Sequence, residues 1–123
     1  MGGGTGGSYS SPGRGLAANI QKLASMYPLD SKGRFGKPGR GAQIVASTDP
    51  LETGRLFFSV LSSGGLSLPL SNGKGMIATF ADKSTVVFRP VSSSDGSPAI
   101  SINLKGSKQT DYKIHFVHEN GEK

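Results

Sequence analysis

The chain contains no cysteine, so neither a disulfide nor a thiolate metal site can be built from it. Histidine is almost as scarce. His115 and His118 are the only two, close together near the C-terminal end, which argues against a His-based zinc cluster. The paired carboxylates and clustered histidines of a metal-dependent DNase are missing too. No apolar run is long enough to cross a bilayer as a helix, and no signal-peptide pattern is present. Export would therefore depend on something outside this sequence, and stable membrane insertion is not expected. Acidic residues are in the minority, 8 against 14 basic, leaving a formal net charge of +6. That balance favours a polyanionic partner, with nucleic acid ahead of a membrane surface, although simple solubility charge would look the same.

The 123 residues suffice for one domain, and their apolar share is a low 34%. The deficit is local. Residues 1–15 are mostly glycine and serine and read as a flexible leader, leaving 16–123 as a single domain. Within 16–27, Leu16, Ile20, Leu23, Ala24 and Tyr27 form an apolar helical stripe that Pro28 terminates. Residues 30–41 (DSKGRFGKPGRG) interleave Lys32, Arg34, Lys37 and Arg40 with glycines, Pro38 and Phe35, a composition that predicts an irregular, flexible loop. Its cations can meet phosphates. Phe35 is expected to pack inward, the alternative being a base-stacking role.

Gln43–Ser47 reads as a short strand or extended link. Asp49 then caps a helix over 50–62, with Pro50 at its first position, Glu52 placed for a capping box, and Gly64-Gly65 as its stop. Gly54 inside that helix implies close approach to another element. Leu66 to Leu70 reads as an edge strand or link because of Pro69. From residue 76 the period changes to two. Runs at 76–80 and 84–89 flank a three-residue turn, and two more follow at 99–104 and 112–117. The order of helix, basic loop, helix and antiparallel meander predicts an α+β fold, two N-terminal helices packed on a four-stranded antiparallel sheet.

Alternation splits the last three runs into an apolar face and a polar one carrying Thr85, Arg89, Ser101, Asn103, Lys113 and His115. A histidine titrating near ~6.5 suits acid–base work, and Arg89 and Lys113 suit phosphate binding. Thr85 and Ser101 can donate hydrogen bonds to nonbridging oxygens. His115, between Ile114 and Phe116, is expected to face away from the core. His118 points to the opposite side near the end of the strand.

RFGKPGRG at 34–41, VVFRPVSSSDGSPAISIN at 86–103 and KIHF at 113–116 together resemble the C-terminal toxin domains of bacterial contact-dependent inhibition and polymorphic toxin systems. The resemblance covers most of the chain from Leu16 onward. It implies a barnase/EndoU/colicin/RelE-type fold and a metal-independent, cofactor-free endoribonuclease that cuts RNA, tRNA above all. Secretion as the C-terminal part of a larger effector, action as a monomer in the cytoplasm of the target bacterium, and a cognate immunity protein are implied with it. Given the net charge, that inhibitor should present an acidic surface. Carried onto the matching motifs, the catalytic positions are Arg89, Ser93, Asp95, Lys113 and His115. Substrate contacts are expected from Lys32, Arg34, Lys37, Arg40, Thr85, Ser101 and Asn103. Two competing classes are a non-catalytic nucleic-acid-binding module, whose sheet should carry stacking aromatics, and another toxin enzyme such as an NAD-consuming one, for which no well-placed carboxylate is visible.

Overall fold

The computed structural model describes residues 15–39, 41–71, 73–91, 96–105 and 111–119. In chain order these form α1 (Leu16–Ala24), β1 (Lys37–Pro38), β2 (Gln43–Ser47), α2 (Pro50–Leu61), β3 (Leu66–Pro69), β4 (Met76–Thr79), β5 (Thr85–Arg89), β6 (Ala99–Asn103) and β7 (Tyr112–His118). All seven strands join one sheet in the order β1-β2-β7-β6-β5-β4-β3. Every neighbouring pair is antiparallel except β2 and β7, which run parallel from Gln43↔Ile114 to Ser47↔His118.

The expected fold is corrected on two counts. The sheet has seven strands and is mixed, not four and antiparallel. The helices are not both N-terminal to it, because α2 follows β1 and β2 in the chain. The class remains α+β. The physical reason is the brevity of the extra strands. β1 has two residues inside the stretch expected to be irregular, and the five of β2 are too few for periodicity to separate strand from link. β3 carries Pro69 and takes the edge, where a missing N–H costs no ladder bond.

Both helices form for the reasons their sequences give, and both end slightly sooner than expected. In α1, Leu16, Asn19, Ile20 and Leu23 are buried at helical spacing. The helix stops at Ala24, and the amides of Met26 and Tyr27 both donate to the Leu23 carbonyl in a tightened last turn. Asn19 is the polar member of the buried stripe. Its side-chain amide donates to the carbonyls of Leu61 and Ser63 at 2.8 Å each, so α1 satisfies groups that the end of α2 leaves open. α2 starts at the Asp49 cap, whose Oδ1 accepts from the Glu52 amide at 3.2 Å. A Cβ on Gly54 would lie 3.0 Å from the Phe88 ring, so the helix rests against β5 at that point. The β4–β5 hairpin turns through Ala81, Asp82 and Lys83, with Lys83 at φ 74° in the left-handed position of a three-residue loop.

Phe57 organises the core. Its ring lies 4.7 Å from Tyr27, 5.3 Å from Phe35 and 5.0 Å from Phe116, centroid to centroid. It thereby joins α2 to the exit of α1, to the basic loop and to β7. Around it the inner sheet face contributes Val45, Val86, Phe88, Ile100, Ile102 and Ile114, all buried. Truncating such a ring leaves a cavity, so Phe57→Ala should lower the unfolding free energy by about 3–5 kcal/mol. Urea denaturation at unchanged m-value checks this; a loss below about 1 kcal/mol would refute the central role given to the ring.

Candidate active site

α2 packs against β2, β5, β6 and β7, and α1 against α2, so both helices lie on the inner face of the sheet. The opposite face is built by the alternate residues, and its side chains can be placed by register. One row crosses five strands: Lys37 pairs with Ile44, Ile44 with His115, His115 with Ala99, and Ala99 with Arg89. The next contains Lys113, Ser101, Val87, Ile77 and Leu68, and a third contains Asn103, Thr85, Thr79 and Leu66. Thr85, Arg89, Ser101, Asn103, Lys113 and His115 therefore share a face. Lys37 joins them through a strand that the composition of its segment concealed.

His115 occupies the middle of the first row, two strands from Lys37 on one side and two from Arg89 on the other. At ~4.8 Å per strand each cation's backbone is about 10 Å away, within reach of a long side chain and a phosphate between them. Lys113 precedes His115 by two residues on the same face, about 7 Å along the strand. Contrary to the expectation of an open imidazole, His115 is only 8% exposed, and its neighbour Ala99 is 4% exposed. The turn entering β6 is the reason. Ser97 folds back so that its hydroxyl lies 2.8 Å from His115 Nδ1, while the Phe116 amide donates to the Pro98 carbonyl. The ring is thus held in one orientation by a residue that alternation could not reveal. Lys113 and Asn103 are exposed, and Thr85, Arg89 and Ser101 are half-buried. His118 is exposed at the end of β7, on the inner side in register with Ser47. Ser93, Asp95 and Arg40 lie outside the described residues.

The basic segment differs from the irregular loop expected of it. Asp30 turns the chain back by accepting from the amides of Lys32 (2.8 Å) and Arg34 (3.0 Å) through Oδ1. Leu29 and Phe35 form a β-bridge. The buried Gln43 side chain donates to Asp30 Oδ2 at 3.3 Å and to the Phe35 carbonyl at 3.1 Å. The Phe35 amide donates to the Tyr112 hydroxyl at 3.1 Å. Phe35 is fully buried, which removes it from base stacking and leaves its packing role. Arg34 stands half-buried with its guanidinium 5.7 Å from the centre of the Tyr112 ring, and Lys32 and Lys37 are exposed. Of the two side chains that pin this segment, Tyr112 was legible only as a member of the apolar face of its strand, and Gln43 only as part of a short strand or link.

The electrostatics follow these contacts. The Arg34 amide holds the Asp30 carboxyl below its usual range, against some opposing desolvation. Burial pushes the Tyr112 phenol from 10.0 up to about 12, offset in part by the Phe35 amide. Among the described residues, no three His, Cys, Asp or Glu side chains are grouped to hold a metal ion, and no helix is long and apolar enough to cross a membrane.

Comparison with known proteins yields no family model that matches the chain, and no significant match to a curated protein or a solved structure.

Because the folded pKa of Tyr112 is raised, the neutral phenol stabilises the fold fully below pH 10, and that contribution is lost as pH rises toward about 12. Urea midpoints measured across this window should fall, with tyrosinate absorbance reporting the ionisation. Tyr112→Phe should flatten the alkaline decline. At neutral pH it should cost roughly 1–3 kcal/mol, because the Phe35 amide loses its acceptor. An unchanged alkaline slope in Tyr112→Phe would contradict the assignment.

Proposed function

We propose that the chain is a metal-independent endoribonuclease whose reaction centre lies on the helix-free face of the sheet. The observation that carries this reading is the five-strand row, a histidine oriented by Ser97 at its centre and Lys37 and Arg89 flanking it, with Lys113 and Ser101 in the next row. RNA contains its own nucleophile. The 2′-oxygen attacks the adjacent phosphorus, an O2′–P bond forms and the P–O5′ bond breaks. The 2′ proton passes to a base, and the departing 5′-oxygen takes one from an acid. His115 is assigned one of these two transfers. The contact of Nδ1 with the Ser97 hydroxyl orients the ring for that transfer. Arg89 and Lys113 stabilise the charge that accumulates on the phosphorane, and Ser101 and Thr85 donate to its nonbridging oxygens. Asn103 lies beside Thr85 as a further polar contact.

The absence of aromatic side chains from the three rows supports catalysis over passive binding, since single-stranded RNA readers stack bases on such a surface. Together with the motifs at 34–41, 86–103 and 113–116, the site fits the delivered toxin reading. In that reading tRNA is the substrate, the cytoplasm of a competing bacterium is the place of action, and an acidic immunity protein covers this face or the basic segment.

The test is incubation of the purified protein with total RNA and with tRNA in EDTA, followed by analysis of the fragment ends. Cleavage should persist and leave 2′,3′-cyclic phosphate and 5′-hydroxyl ends. His115→Gln should slow it by about 10²–10⁴-fold. Arg89→Ala and Lys113→Ala should each slow it by about 10²-fold or more, as expected for removal of a charge-stabilising donor. Since His115 is buried, circular dichroism and urea denaturation of each variant separate lost chemistry from lost structure. Full activity in folded His115→Gln, or 5′-phosphate products that require a divalent metal, would overturn the assignment.

A further inference from the structure

β2 and β7 begin side by side, and the basic segment stands over their first residues. A cleft of about 310 Å³ opens there, lined by Arg34, Gly39, Gly41, Gln43, Asp111 and Lys113, with Tyr112 at its side. We infer that this cleft is a nucleotide subsite, holding the phosphate and sugar of the residue next to the one that is cut. The inference rests on the endoribonuclease reading and adds a second contact point for the strand.

Four observations converge on it. Cations enter from two separate elements, Arg34 from the segment after α1 and Lys113 from β7, so an anion placed between them meets both. The Arg34 wall is set before any ligand arrives. Asp30 accepts its backbone amide, Gln43 ties Asp30 to Phe35, and the guanidinium lies over the Tyr112 ring. A clamp held in this way gives up little conformational freedom on binding. Gly41 sits at φ 72°, and a Cβ there would meet no described residue within 4 Å, so at this point a sugar-phosphate chain can approach the backbone closely. Finally, Lys113 belongs both to the cleft and to the open face two residues from His115. A strand whose scissile phosphate lies at His115 therefore enters the cleft about one nucleotide step away.

The cleft also limits what it accepts. Its volume is near the lower end of the roughly 300–1,000 Å³ typical of ligand sites, enough for one nucleotide. Asp111 contributes an acceptor that suits a hydroxyl or amino group and repels a second phosphate. A nucleoside monophosphate fits this combination better than inorganic phosphate, which makes no use of Asp111, or a triphosphate, which confronts it.

The experiment titrates isotope-labelled protein with the four ribonucleoside 3′-monophosphates, and in parallel with inorganic phosphate and a nucleoside triphosphate, following amide shifts. The monophosphates should perturb Gly39, Gly41, Ala42 and Asp111 and bind more tightly than either control. Arg34→Lys and Lys113→Gln should each weaken binding by about tenfold or more, the loss of one charge-assisted contact. Perturbations confined to other residues, equal affinity for inorganic phosphate, or unchanged affinity in folded Arg34→Lys would overturn the subsite. The wild-type shift map decides the matter if a variant does not fold. RNA cleavage in EDTA is measured on the same preparation. Cleavage without nucleotide in the cleft removes the subsite and leaves the endoribonuclease reading. Nucleotide in the cleft without cleavage leaves the binding site and removes that reading.

Discussion

The parallel pairing of Gln43–Ser47 with the C-terminal strand is the constraint on which the rest of this molecule depends. It is the one parallel contact in an otherwise antiparallel sheet, and it joins segments far apart in sequence, at the corresponding entropic cost of closing the chain between them. What offsets that cost lies on the inner face. Val45 pairs with Phe116, and Phe116 packs edge-on against Phe57, which in turn holds Tyr27 and Phe35. Burying each such ring is worth about 1.5–3 kcal/mol, comparable to several net hydrogen bonds. Because β1 pairs with β2, the same alignment carries Lys37 into register with His115. Core packing on one side of the sheet thus fixes the placement of charge on the other.

The open face is not uniform. Its polar and cationic groups come from β1, β7, β6 and β5, while the β3–β4 end is mainly apolar, with Leu66 and Leu68 largely exposed on the edge strand. Antiparallel sheets tolerate water on one face when alternate residues are polar, and the first part meets that condition. The second is a short edge ending in Pro69, features that discourage uncontrolled strand addition. Within the polar part, the Ser97 turn makes a distinction that charge alone does not. It covers His115 but leaves Lys113 in solvent, so the imidazole is oriented by its surroundings while the ammonium can follow a phosphate.

Local physics was legible in the sequence wherever a signal repeated. The Leu16–Leu23 stripe, the Asp49-Pro50 start, the tight seat of Gly54 against Phe88 and the alternation in β5, β6 and β7 all follow from spacing or from one residue's steric demands. The placement of Thr85, Arg89, Ser101, Asn103, Lys113 and His115 on one face is the same alternation seen in three dimensions. What could not be read were the long-range joins. Lys37–Pro38 has no period at all, and nothing in Gln43–Ser47 announces a parallel partner, so a mixed sheet of seven strands looked like an antiparallel one of four. The burial of His115 was hidden for a related reason: alternation reports which side a residue faces, and not whether a neighbouring turn folds over it. Pinning of the basic segment by Gln43 and Tyr112 likewise needs two strands to meet before either side chain has a partner.

The central claim is that the helix-free row, and not the helical side of the domain, receives RNA. Titrating the isotope-labelled protein with a short 2′-O-methyl RNA, which can bind but cannot supply the attacking hydroxyl, tests this most directly. The account predicts shifts at Lys37, Arg89, Ser101, Lys113 and His115 that weaken as salt rises, with little change along α1 and α2. Perturbations centred on α2 or on the β3 edge, with the row around His115 unmoved, would contradict it.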